Sequence, residues 1–327
     1  GGKLMFPWFD RPLSVAGRVT AMTGQGIETR LVNMDCDLVL IPSLAIHMNR
    51  SANQNASLNP QKDLLPLYSM AGAVPLRELI AGAAGVRPDA ILSHDLFVCC
   101  RMPGTVWGAN REFIASPRLD DLQCAWAAMT ALLQAENSTH IPLCAVFDNE
   151  EVGSGTKQGA GSTFLEDVMK RISDVTGHSR EEYQIQIARS FMLSADNAHP
   201  LHPNYPEKAD DANRPFLNGG VVLKYSANQK YTTDSVSAAL FLAICRKAGV
   251  PVQVFANRSD IPGGSTLGNI SSSHVSLNTA DIGLAQLAMH SPFETAGVKD
   301  TLYLVRALTA FFGSRLTCLG DGSYRLE

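Results

Sequence analysis

The chain has 327 residues, 45% of them apolar and 18% charged, with a formal net charge of −4. That length supports about two domains with sizeable cores, and the balance excludes disordered and fibrous classes. Lysines and arginines are scattered, which leaves no footprint for nucleic acid or an anionic membrane, and no apolar run is long enough to span a bilayer.

Residues 17–20, 28–32 and 38–41 are short β-rich runs separated by turn residues, and strands are expected there. The stretch 38–46 reads as a buried strand, 49–62 as a polar loop, 74–84 as a helix and 90–98 as another strand, which together make a small α+β module. From Ser116 onward long helical patterns alternate with short apolar strands, the mark of a βαβ architecture with a mainly parallel sheet. Leu119, Leu122, Trp126, Met129 and Leu133 recur at helical spacing, followed by an expected strand at 141–147. Thr163-x-x-Glu166 has the form of a capping box opening a helix with Leu165, Val168 and Ile172 on its apolar side. Further strands are expected at 190–194, 221–225, 252–256 and 282–288, with a helix over 234–247 capped by Gly249. Ser291-Pro292-Phe293-Glu294 reads as a second capping box, opening a helix toward Phe312. The seven cysteines include no C-x-x-C pair, and Cys99 and Cys100 are neighbours, so a reducing cytosol suits the chain better than a disulfide framework.

In α/β sheets functional groups gather beyond the carboxyl ends of strands. The 141–147 segment ends in Asp148-Asn149-Glu150-Glu151, and 190–194 runs into Asp196, with His199 and His202 close behind. His290 follows 282–288, and Asp120 and Asp121 stand where the first long helix begins. Carboxylates mixed with imidazole suit zinc, manganese or cobalt, and one carboxylate can bridge two such ions. Two adjacent glutamates can divide the work, one holding metal and the other accepting a proton. Blander roles exist for each residue: acids at a helix start are commonly caps, and a lone histidine is commonly a hydrogen-bonded core residue. Two glutamates at a buried strand end are costly, however, unless a cation neutralises them.

The strings 116–122 (SPRLDDL), 148–155 (DNEEVGSG), 194–205 (SADNAHPLHPNY) and 287–291 (LAMHS) resemble the M18 family of metalloaminopeptidases, the aspartyl aminopeptidases. Trp8-Phe9-Asp10-Arg11, Ala16-Gly17-Arg18-Val19 and Leu44-Ala45-Ile46-His47 are similar to that family as well. The resemblance implies an α/β fold with a mixed, mainly parallel sheet flanked by helices, as in zinc exopeptidases, and an inserted smaller β-rich domain that mediates dimerisation. Residues 1–10 would end an upstream catalytic segment, 11–115 would form the dimerisation domain and 116–327 the metallopeptidase domain. Dimers would assemble into a tetrahedral dodecamer in the cytoplasm. By the same resemblance Asp120 bridges two zinc ions, Asp196 binds one, Glu151 and His290 bind the other, and Glu150 is the general base; manganese or cobalt are alternative ions. Lys224 matches the lysine that receives the acidic side chain of peptides beginning with Asp or Glu. His199 and His202 line the same loop, and His47 is expected to reach the site of a neighbouring subunit. The family also has an upstream His-x-Asp pair whose histidine completes one metal site. None of the eight histidines here has Asp two residues later, and an upstream portion is expected outside this sequence. Asp121 stands where the family commonly has Asn. The missing His-x-Asp segment motivates a second reading, a noncatalytic or metal-deficient assembly subunit or fragment, and a third keeps the metal chemistry with another substrate, as a dimetal amide hydrolase.

Overall fold

Period-two alternation builds an antiparallel hairpin, β1 (Ser14–Thr23) and β2 (Gly26–Asn33), in the computed structural model, which describes residues 2–54, 57–136, 139–320 and 322–327. The hairpin belongs to the smaller of two units, Lys3–Pro103 with Ser291–Phe293. This unit also holds α1 (Pro60–Asp63), α2 (Leu76–Ala84) and β3 (Ile91–Cys99). Its sheet has the order β2-β1-β3. Val19, Val32 and Ile91 on one face pack with Ile80, Ala81 and Ala84 of α2. Met22, Ile27, Leu31 and Phe97, on the opposite face by register, are exposed. Residues 39–41 make isolated bridges, Leu13 with Val39, Leu40 with Leu67 and Phe9 with Ile41, rather than the buried strand expected over 38–46. Pro42 offers no backbone donor to continue the ladder, and Leu44 and Ile46 are exposed.

The larger unit takes Gly104–His290, Glu294–Glu327 and Gly2. In chain order it contains β4 (Thr105–Trp107), β5 (Phe113–Ser116), α3 (Leu119–Gln134), α4 (Phe164–Val175), α5 (Arg180–Arg189), β6 (Phe191–Ala195), β7 (Val221–Tyr225), α6 (Ser235–Ala248), β8 (Val252–Ala256), α7 (Leu267–Ser271), β9 (Asn278–Gly283), β10 (Gln286–Leu287), β11 (Glu294–Gly297), α8 (Asp300–Gly313), β12 (Leu316–Gly320) and β13 (Ser323–Leu326). The central sheet runs β6-β9-β7-β8, with β6/β9 and β7/β8 parallel and β7/β9 antiparallel. A second sheet, β10-β11-β5-β4, is antiparallel, so β4 and β5 pair in this unit rather than with the smaller module. Leu223 and Ile282 of the central sheet pack with Cys124 and Ala127 of α3, Phe241 of α6 and Leu304 of α8 to form the main core. The fold is α/β, with a mixed, mainly parallel sheet flanked by helices.

Several local expectations change. The large apolar residues of α3 point outward: Leu122, Trp126, Met129 and Leu133 are 41–80% exposed, and the helix buries Cys124, Ala127 and Ala131 instead. Small residues let α3 lie close to the core, which size and hydropathy alone do not foretell. Residues 141–147 form no strand. α4 starts where expected, but Thr163 makes no capping bond to its backbone; its hydroxyl donates to the Asp167 carboxylate, 2.8 Å away. Reciprocal capping boxes occur instead at Ser179 with Glu182 and at Asp234 with Ser237. Ser291–Phe293 opens no helix: Glu294 begins β11 and α8 starts at Asp300. The Glu294 carboxylate is occupied by other backbone amides, described below. None of the seven cysteines, all among the described residues, takes part in a disulfide.

Candidate metal centre

Asp120 sits where the chain passes from β5 into α3, after Arg118 in the left-handed region (φ 58°), and is itself non-helical (φ −83°, ψ 115°). Its Oδ2 lies 3.4 Å from His290 Nε2, and Glu151 Oε2 lies 3.3 Å from the same nitrogen. Asp120, Glu151 and His290 each offer a ligand atom within 4.8 Å of the others. The other ring nitrogen of His290 is 2.7 Å from the Gly2 carbonyl oxygen. A carbonyl only accepts, so Nδ1 carries the proton and, in the neutral ring, Nε2 keeps a lone pair facing the carboxylates, the arrangement of a metal-binding imidazole. Asn149 (φ 64°), Ala288 (φ 57°) and His290 (φ 66°) are also left-handed without being glycine. Such positions cost about 1–3 kcal/mol each and persist where surrounding structure enforces them. Asn149 is fixed by its amide donating to Thr156 Oγ1, 3.0 Å away, which sets the single turn carrying Glu150 and Glu151.

Asp196 follows β6, and its amide donates to Ile282 O of β9 at 3.0 Å. A Cβ at Gly283 would fall 1.8 Å from Asp196 O, so only glycine admits this approach. The Asp196 carboxyl is within hydrogen-bonding reach of Asp120, and its Oδ2 is 3.7 Å from Lys224 Nζ. Lys224, on β7, is 1% exposed. It donates to Asn197 O at 3.1 Å and lies over the Tyr231 ring. The Asn197 side chain is equally enclosed: its amide nitrogen bonds Gln286 Oε1, Gln123 Oε1 and Leu119 O, and its oxygen accepts from the Cys124 thiol.

The charge here is excessively negative for a buried place. Burial pushes the Asp196 carboxyl up to about 6 despite Lys224, and burial with the Asp120 charge pushes Glu151 up to about 7. Burial, with Asp196 and Asp120 beside it, drives Asp121 well above its ordinary value. Burial alone would raise Asp120, but hydrogen bonds from His290 and Glu151 outweigh it and hold that carboxyl down. The hydrogen bond to Asp120 raises His290 to about 9. Asp120 Oδ1 and Asp121 Oδ1 are buried with no hydrogen-bond partner. The unpartnered Asp120 oxygen, the Glu151 carboxylate and the oriented His290 imidazole are a donor set that zinc accepts, so the residues fit the metal.

The family of aminopeptidase I zinc metalloproteases (M18) matches residues 1–312. The chain belongs to the M18 family. A probable M18 family aminopeptidase 2 from Clostridium acetobutylicum is 44% identical over 319 residues, which covers 95% of this chain and 74% of that protein. Its counterpart from Clostridium novyi is 45% identical over 320 residues, covering 95% of this chain and 74% of that protein. Among solved structures, the cryo-EM structure of the Ape4 and Nbr1 complex matches at TM-score 0.90 and 36% identity, covering 96% of this chain and 65% of that one. The S. cerevisiae mApe1 dodecamer matches at TM-score 0.79 and 29% identity, covering 95% and 71%. This M18 chain therefore spans about two thirds of the Ape4 chain and about three quarters of the two clostridial proteins.

Of the residues singled out in the sequence, Asp120, Glu151 and His290 come together, Asp196 adjoins Asp120, and Lys224 adjoins Asp196. Glu150 is half-buried in the turn before Glu151, and its charge bears on both Asp196 and Glu151. His199 packs edge-on against Phe255; its side chain reaches solvent, yet crowding by the surrounding chain and then the Lys224 charge hold its imidazole below the usual value. His202 Nδ1 accepts from the Asn204 amide at 3.1 Å and its ring lies against Tyr205. His47 is exposed on a turn of the smaller unit. Glu294 and Asn197 were missed. Asn197 directly follows Asp196, a position that hinted at a role, whereas the string holding Glu294 mimics a helix cap.

Proposed function

We propose that this chain acts as an aminopeptidase that uses two zinc ions to remove N-terminal Asp or Glu from peptides. The convergence of Asp120, Glu151 and His290, with Asp196 against Asp120, carries the reading. Glu151 and His290 would hold one ion, Asp196 the other, and Asp120 both. Zinc held there supplies Lewis acidity toward the scissile carbonyl and makes water a better nucleophile. Glu150 accepts the proton of the attacking water and returns it to the departing amine. Acidic preference rests on Lys224, whose ammonium lies 3.7 Å from the Asp196 carboxylate. In the complete protein Glu150→Gln should keep two zinc equivalents and lose about 100-fold or more in kcat on peptides beginning with Asp. Near-normal turnover overturns Glu150 as base, and absence of zinc from wild-type protein that still assembles favours the assembly subunit.

We further infer that self-association runs through the smaller unit, because Met22, Ile27, Leu31 and Phe97 are large apolar side chains exposed on one sheet face, together with the Arg18–Asp95 ion pair. The dodecamer of S. cerevisiae mApe1 supports assembly of this kind. Leu31→Asp together with Phe97→Asp should shift sedimentation to smaller species; an unchanged profile removes this face from the interface.

A further inference from the structure

Glu294 is 2% exposed and stands at the head of β11, paired in register with Ser116 of β5. One carboxylate oxygen, Oε2, accepts the Asp120 amide at 3.0 Å, and the other, Oε1, accepts the His290 amide at 2.8 Å. These two amides come from chain segments far apart in sequence, and both belong to residues whose backbones depart from regular structure: Asp120 is non-helical inside α3, and His290 is left-handed. A helix cap satisfies amides of its own helix. Glu294 instead joins the amide of one candidate ligand to the amide of another, and so sets the spacing of the Asp120 carboxylate and the His290 imidazole.

From this geometry we propose that Glu294 is a positioning residue for the metal centre, fixing Asp120 and His290 at the separation that zinc requires. The proposal rests on the two-zinc reading above. A carboxylate is uniquely matched to the task, since it is acceptor-only at both oxygens and faces two donors. Glutamine would turn an NH2 against one of the amides. Aspartate, one methylene shorter, cannot reach both segments. Outer partners of this kind typically alter metal affinity by about 10- to 100-fold when replaced.

Asp300 supplies the control. It too is fully buried and accepts two backbone amides, from Asn218 at 2.7 Å and Gly220 at 3.0 Å, but it touches no candidate ligand. Glu294→Gln and Asp300→Asn, made in the complete protein, should both lower the unfolding temperature. Only Glu294→Gln should weaken zinc binding, by about tenfold or more in competition with a chelator, change the visible spectrum of the cobalt-substituted protein and lower kcat with KM nearly kept. Wild-type zinc affinity and cobalt spectrum in Glu294→Gln overturn the proposal, as do equal losses in Asp300→Asn. Should Glu294→Gln fail to fold, Glu294→Asp, which keeps the charge, is read by the same chelator competition and cobalt spectrum: weakened binding supports the proposal and unchanged binding overturns it. Wild-type protein that binds no zinc defeats the two-zinc reading itself, an outcome distinct from wild-type protein that binds zinc as tightly as Glu294→Gln.

Discussion

The candidate centre has two unlike halves. Asp121, Asp196 and Lys224 are enclosed, each fixed by burial and by neighbours contributed by β6, β7 and α3. Glu150, Glu151 and His290 sit on turns, with Glu151 and His290 partly open to solvent at 44% and 27% side-chain exposure. Charge in the enclosed half is compensated by an internal cation. In the open half the Glu151 carboxylate shares the His290 imidazole with Asp120 and is partly open to solvent. The enclosed half is therefore part of what holds the domain together, while the open half is free to exchange a proton for a metal.

The sharpest way to break that contrast is to remove the cation. Lys224→Met keeps the apolar stem and leaves Asp196 and the Asn197 carbonyl facing no donor. Breaking one partner of a buried pair costs about 3 kcal/mol or more, measurable by urea unfolding of the zinc-free protein. Glu151→Gln should change stability by no more than about 0.5 kcal/mol while weakening zinc about tenfold. Equal destabilisation by the two variants would erase the distinction between the halves. Lys224→Met also separates two roles of the lysine on peptides beginning with Asp and with Ala: a loss confined to Asp peptides supports the acid pocket, and equal losses assign Lys224 to holding Asp196.

Much of the enclosed half was legible because local chemistry specifies it. Asp234 caps α6 and left-handed Gly249 ends it as its sequence demands, and β7 and β8 occupy 221–225 and 252–256. Both are short β-rich runs, β7 almost wholly buried and β8 buried at Phe255. The outward stripe of α3 was not legible: Trp126 and Leu133 have the spacing of a core face, but the close neighbour is reached through Cys124, Ala127 and Ala131. Asp120, Glu151 and His290 were readable as acids and an imidazole at element ends. That their ligand atoms lie within 4.8 Å of each other depends on tertiary placement, which no local pattern encodes. Glu294 was misplaced for the same reason, since a serine three residues before a glutamate fits a cap equally well until the amides it serves are known.

The smallest expected effect sharpens the contrast through pH. Burial raises Asp196 and Asp300 to about 6, burial with Asp120 raises Glu151 to about 7, and the hydrogen bond to Asp120 raises His290 to about 9. A group whose pKa is higher in the folded chain binds more protons there than in the unfolded chain, so its stabilisation is complete below the unfolded value and disappears as pH climbs through the folded one. All four act in the same sense, and Asp120, held low, opposes them only below about pH 4. The zinc-free protein should therefore lose unfolding temperature steadily between about pH 5 and pH 9. The shift is modest because Glu151 and His290 are screened by solvent. Zinc must displace the same protons from Glu151, Asp196 and His290, so its stabilising effect should grow over the same interval. A zinc-free protein that becomes more stable with rising pH, or a zinc effect independent of pH, would mean that these carboxylates and this imidazole do not share protons as their geometry requires.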